Sequence, residues 1–161
     1  MGISYDCIKA GLKKFGGAHR RFELKGQYKG ATVIDDYAHH PTEIDASLAA
    51  AANYPHNRVV VCFQPHTYTR TLSFLDDFAA SLSKADVVLL ADIYAAREPD
   101  IYGVSSKDIA DRIEKKGTEV HYLGSFDACE KFLEKNILNN DLLITMGAGD
   151  VYLVGEHLLS I

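Results

Sequence analysis

The sequence runs to 161 residues, 47% apolar and 24% charged, with a formal net charge of −5 at pH 7, enough for one domain with a full core or one domain and an appendage. The acidic balance argues against nucleic-acid binding through a basic surface, and no apolar run approaches the roughly 20 residues of a membrane span. The opening Met-Gly-Ile-Ser-Tyr-Asp lacks the parts of a signal peptide, so a cytoplasmic protein is expected.

Residues 4–15 read as a helix, with Ser4 as N-cap, Ile8, Leu12 and Phe15 on one face, and Gly16-Gly17 as the stop. This helix has no place in the alternation that follows. An extended segment begins at His19 and runs to about Tyr28, Lys29-Gly30 is a turn, and residues 31–35 return as the second arm of a hairpin. Arg20 and Arg21 read by default as solvated charges. Residues 41–53 are helical, opening on Pro41 with Ile44, Leu48 and Ala51 on one face. The run RVVVCF at 58–63 reads as a strand covered on both faces, with Cys62 a buried, inert thiol. A polar loop, QPHTYTRT, occupies 64–71, and a helix fills 72–82 with Phe74, Leu75, Phe78 and Leu82 inward. A strand at 87–90 opens into the loop ADIYAAREP.

Ser105 caps the next helix, which Gly117 ends. Residues 120–123 form a short strand and Ser125 caps another helix. Residues 142–146 are the last strand, followed by Gly147-Ala148-Gly149-Asp150 and a closing helix to about Leu159. Strands alternating with helices of this length predict an α/β domain with a mostly parallel sheet and right-handed crossovers. Three widely spaced cysteines, Cys7, Cys62 and Cys129, give neither a zinc ribbon nor a disulfide framework.

Four polar loops follow the carboxyl ends of predicted strands, and in a parallel sheet those ends lie on one edge. Together they offer Asp35, Asp36, Tyr37, His39, His40, His66, Arg70, Asp92, Arg97 and Asp150, a set suited to an anionic ligand. Each has a plainer reading. His40, before Pro41, is placed equally well as a helix cap or a ligand. Asp35 and Asp36 point to opposite faces of a strand, Tyr37 suits a core position with a bonded hydroxyl, and Arg97-Glu98 reads as a local ion pair. The GAG loop is a tight turn before it is an anion site. The histidines lack H-x-x-x-H or H-x-H spacing, which argues against a tightly held metal. There is no G-x-x-x-x-G-K-[ST], so no Walker loop to hold a triphosphate.

The runs HRRFE, ATVIDDYAHHPTEI, VVVCFQPHTYTRT and ADIYAAREP, in that order, resemble the C-terminal domain of the Mur ligases, most nearly the members that join L-alanine to UDP-N-acetylmuramate. The resemblance covers nearly the whole chain. It implies a Rossmann-like three-layer αβα domain with an N-terminal hairpin over residues 18–161. Residues 1–17 would then be the last helix and linker of a preceding central domain. In that family the central ATPase domain carries the Walker loop and holds ATP and Mg²⁺, a first domain binds the UDP substrate, and the C-terminal domain closes the site. By that resemblance His39 and Arg70 are catalytic, Tyr37, His66 and Arg97 meet substrate, and Asp35 and Asp36 orient a histidine or approach the nucleotide's Mg²⁺. Thr67 departs from the pattern, standing where many members carry arginine. The domain alone is expected to be inactive. Two other readings are the murein-peptide recycling ligase and a free-standing metal-dependent phosphoesterase.

Overall fold

The computed structural model describes residues 2–14 and 18–161. The elements are α1 (Tyr5–Lys14), β1 (Glu23–Tyr28), β2 (Ala31–Asp36), α2 (Pro41–Ala51), β3 (Val59–Phe63), α3 (Tyr68–Ser73) and α4 (Leu75–Leu82). They continue with β4 (Val87–Ala91), α5 (Ser106–Glu114), β5 (Glu119–Gly124), α6 (Phe126–Asn136), β6 (Leu142–Met146) and α7 (Tyr152–Leu159). The six strands form one sheet in the order β1-β2-β6-β3-β4-β5. Only the β1–β2 pair is antiparallel.

Alternation along the strands sorts the core into two layers. Ile34, Val61, Phe63, Leu90 and Ile144 face α2, α4 and α5, meeting Ile44, Phe78, Leu82, Ile109 and Ile113. Val33, Cys62, Leu89 and Leu143 face α6 and α7, meeting Cys129, Leu133, Val151 and Val154. Covered on both sides, β3, β4 and β6 are buried along their whole length, as their apolar runs require. Cys62 is completely buried, and its hydrogen bonding with Cys129 and its burial push the thiol well above its usual range.

Local signals act where the sequence places them. Lys29 and Gly30 both take positive φ, 49° and 82°, the backbone of the two-residue turn that matches strand twist in a hairpin. Ser125 Oγ accepts the Ala128 amide, and Asp108 accepts the Ser105 amide. Ser4 Oγ accepts the Cys7 amide at 3.3 Å. Ile8 on α1 is exposed. The expected Gly16-Gly17 stop and Phe15 lie outside the described residues.

Two expectations are corrected. The extended segment does not start at His19: Arg20 and Phe22 take positive φ, turning the chain before β1 opens at Glu23. The polar loop after β3 ends at Thr67, and the helix predicted over 72–82 begins earlier and is broken. It starts as α3 at Tyr68, leaves helical geometry at Phe74 (φ −125°, ψ 24°) and resumes as α4. Arg70 therefore projects from a helix rather than a loop. Among the described residues no helix is long and apolar enough to cross a membrane.

Candidate functional site

The polar edge is built around Arg20, which the sequence presents as a surface charge. Its side chain is only 12% exposed. Nε donates to Asp35 at 2.8 Å, Nη1 to the Gly149 carbonyl at 3.0 Å and Nη2 to the Gly147 carbonyl at 2.8 Å. The guanidinium also lies over the rings of Tyr37 and Tyr152, at 5.1 and 4.5 Å, while its own carbonyl accepts the Tyr37 amide at 2.8 Å. One arginine thus ties the end of β2 to the loop after β6. Asp35 is buried against it and accepts a second bond from Thr145 Oγ1 at 2.8 Å. Burial pushes its carboxyl above the usual range, and Arg20 and Thr145 pull against that.

Asp36 points to the opposite layer. Its oxygens accept the Ala38 amide (2.8 Å), the Phe22 amide (3.1 Å) and Ser47 Oγ (2.9 Å). Asp35 and Asp36, expected to orient a histidine or approach a nucleotide's Mg²⁺, both lie buried at the end of β2. Each carboxylate is held by partners within the domain, which fixes the corner between them. His40 resolves as a helix cap, its Nδ1 accepting the Thr42 amide, with Glu43 accepting the His40 amide in return.

Those anchors leave a row of rings half exposed along the edge. Tyr37 and His39 are 5.4 Å apart, His39 and His66 5.9 Å, and His66 stacks on Tyr94 at 5.4 Å with 22° between planes. Arg70 Nη1 lies 3.3 Å from His66 Nδ1. Burial, then the Arg70 charge and His39, push His66 below the ordinary histidine range. A neutral His66 accepts Arg70 on Nδ1 and so carries its proton on Nε2, free to donate outward. His39 is set the other way. Its Nδ1 sits 2.9 Å from the Tyr37 carbonyl, to which it donates, and 3.4 Å from Glu43 Oε2, so Nε2 is the ring nitrogen left facing outward. The row therefore presents a fixed cation and two outward-facing imidazole Nε2 atoms side by side.

The loop after β6 is tightly fitted. Gly147 has φ +148°, and a Cβ there would stand 2.7 Å from the Gln64 carbonyl oxygen. Its carbonyl and that of Gly149 turn to Arg20. Gly147→Ala is expected to cost roughly 3 kcal/mol, lowering Tm by about 6–12 °C in thermal unfolding followed by circular dichroism. An unchanged Tm would refute the close approach.

The four loops do meet on one edge. His66 bridges to Tyr94 as an extension of the sheet, and the Asp150 amide donates to Gln64. Arg97 is exposed and makes no ion pair among the described residues; Glu98, its expected partner, instead accepts the Thr69 amide at 2.9 Å. Asp92 bonds Tyr122 Oη at 2.6 Å, and Asp150 is exposed. No group of three or more His, Cys, Asp or Glu among the described residues is arranged to hold a metal ion. Arg20 and Tyr94 are what sequence reasoning missed. The hairpin register gives a signal for the first: pairing Glu23 with Asp35 carries residue 20 to the level just beyond that carboxylate.

Comparison with known proteins agrees with the geometry. The family model described as Mur ligase, glutamate ligase domain matches residues 20–149. The UDP-N-acetylmuramate–L-alanine ligase of Agathobacter rectalis is 62% identical over 159 residues, which are 99% of this chain and 35% of that protein. The crystal structure of the UDP-N-acetylmuramate–alanine ligase of Thermotoga maritima superposes with a TM-score of 0.79 at 29% identity, over 96% of this chain and 32% of that one. A murein peptide ligase from Psychrobacter arcticus gives 0.71 at 26%, over 99% and 33%. The chain thus spans about a third of the length of its relatives. It belongs to the Mur ligase family, as its glutamate ligase domain.

Proposed function

We propose that the chain is the closing domain of an ATP-dependent ligase that joins L-alanine to UDP-N-acetylmuramate in peptidoglycan synthesis. The observation that carries this is the His39–His66–Arg70 row, held at the carboxyl edge of the sheet in a chain that matches alanine-adding ligases over 99% of its length. The reaction passes through an acyl phosphate that the alanine amine attacks. Arg70 offers a fixed positive partner for the alanine carboxylate or for phosphoryl charge. His66 donates from Nε2 to an anionic oxygen. His39 takes, on its outward Nε2, the proton that the attacking amine must shed. Tyr37 walls the site beside His39, and Arg97 stands exposed on the neighbouring loop to meet substrate.

ATP and Mg²⁺ are assigned to a central domain of the full-length enzyme, because this chain has no Walker loop. Residues 1–17 are assigned to that preceding domain and residues 18–161 to this one. Ile3, Tyr5 and Ile8, exposed on and beside α1, support that division by offering an apolar face the sheet does not cover. A cytoplasmic location follows from dependence on ATP and from three free thiols.

The test is reconstitution. The chain is mixed with the separately expressed N-terminal two-thirds of the Agathobacter rectalis relative, and phosphate release is assayed with UDP-N-acetylmuramate, L-alanine and ATP·Mg²⁺. Turnover that requires both pieces and L-alanine is expected. Association without turnover would overturn the assignment, as would alanine-dependent ATP hydrolysis by the chain alone for its expected inactivity.

A further inference from the structure

Helix α3 carries Arg70, yet nothing within it caps its start. Thr67, the N-cap, takes φ 66° and its side chain makes no cap bond. The orphan amide that an N-cap hydroxyl would normally accept, that of Thr69, donates instead to Glu98 Oε2 at 2.9 Å, and Thr69 Oγ1 donates to Oε1 of the same carboxylate. Glu98 lies in a different loop, the one after β4. These bonds hold its carboxyl below the usual carboxylate range.

The cap is one end of a longer clasp. The Tyr94 amide donates to the Pro65 carbonyl at 2.8 Å, the Thr67 amide donates to the Tyr94 carbonyl at 2.8 Å, and His66 stacks on Tyr94. The loop after β4 thus grips the segment at Pro65, His66, Thr67 and Thr69. Inside that grip, Arg70 is one residue beyond Thr69 and reaches back to His66 Nδ1. Moving the first turn of α3 would change where both side chains aim.

We infer that Glu98 is a positioning residue: capping α3 from the neighbouring loop, it fixes the direction in which Arg70 and His66 meet the substrate. The inference rests on the reading of Arg70 and His66 as site residues. Glu98 touches neither substrate nor reacting atoms in this account.

Two measurements separate the cap from its consequence. In the 161-residue chain, amide exchange by ¹⁵N NMR is expected to show Thr69 protected, at least about tenfold faster exchange in Glu98→Ala, and Val61 and Cys62 unchanged. Glu98→Gln, which keeps an acceptor, should retain part of the protection. A Thr69 amide that exchanges freely in the wild type, or is indifferent to Glu98→Ala, would overturn the cap.

In a fusion of the chain to the N-terminal two-thirds of the Agathobacter rectalis relative, Glu98→Ala is expected to lower kcat/KM for L-alanine about tenfold. The KM for UDP-N-acetylmuramate should hold, and Glu98→Gln should recover much of the loss. The loss from Glu98→Ala should be clearly smaller in the Arg70→Ala background than in the wild type, because one of the two side chains that Glu98 aims is already gone. Effects that multiply, or that fall equally on both substrates, would overturn the positioning role. If Arg70→Ala itself turns over normally, the site reading fails and the positioning role with it. Amide exchange then still decides whether the cap exists.

Discussion

Arg20→Met is expected to destabilise the domain by roughly 3–5 kcal/mol in urea unfolding, the cost of leaving a buried carboxylate without its charged partner. Asp35 then keeps only Thr145, and burial, already its largest influence, acts almost unopposed. Its folded pKa therefore rises further above the unfolded value. A raised carboxyl binds its proton more tightly in the folded state, so stability falls as pH rises from about 4 through the folded pKa. The deficit of Arg20→Met should accordingly shrink in acid. Replacing both partners, Arg20→Met with Asp35→Asn, should recover part of the loss at neutral pH by removing the charge that has to be buried. A loss below about 1 kcal/mol, insensitive to pH, would mean that Arg20 is the surface charge its sequence suggests.

The second large effect belongs to Arg70 and His39. In the fused ligase, Arg70→Ala is expected to lower kcat/KM for L-alanine by roughly 10²–10³, the range for removing a preorganised charge from a developing anion. Arg70→Lys should recover only part, since an ammonium cannot bond His66 and substrate in the same fork geometry. His39→Ala should cost about 10²–10⁴ in turnover, because the group proposed to accept the amine's proton is gone. Both variants should keep the wild-type Tm, as neither side chain is part of the core. Wild-type kinetics for Arg70→Ala would remove the central piece of the proposed site.

The sheet and its helices were legible because each strand is either continuously apolar or bounded by a turn with defined chemistry. VVVCF and LLITM have no alternative to burial on both faces, and Lys29-Gly30, Ser105 and Ser125 punctuate the chain with side-chain or backbone geometry that acts locally. Legibility ended where a residue's role depends on a distant carbonyl. Arg20 reads as one of two adjacent basic residues until the loop after β6 brings two carbonyls to its guanidinium. Glu98 reads as the partner of Arg97 until Thr69 claims it. Asp35 and Asp36 drew attention as ionisable groups at a strand end, and their opposite facing was predicted correctly. What the residues did not disclose is that Ser47, Thr145 and three backbone amides or guanidinium groups had already engaged them. Conversely, the convergence of His39, His66 and Arg70 was visible from topology alone, since loops at the carboxyl ends of parallel strands share an edge.

The position of β6 sets the order in which this domain becomes complete. Residues 142–146 form the strand between β2 and β3, so the hairpin half and the β3–β4–β5 half have no direct strand contact until that late segment slides between them. During synthesis the two halves would hold unpaired inner edges for the whole time the intervening hundred or so residues emerge, a setting that favours slow, aggregation-exposed folding. The ring row straddles the same seam, with Tyr37 and His39 on one side and His66 and Arg70 on the other. The two sides of the site are therefore held in register only by a strand that comes late in the sequence.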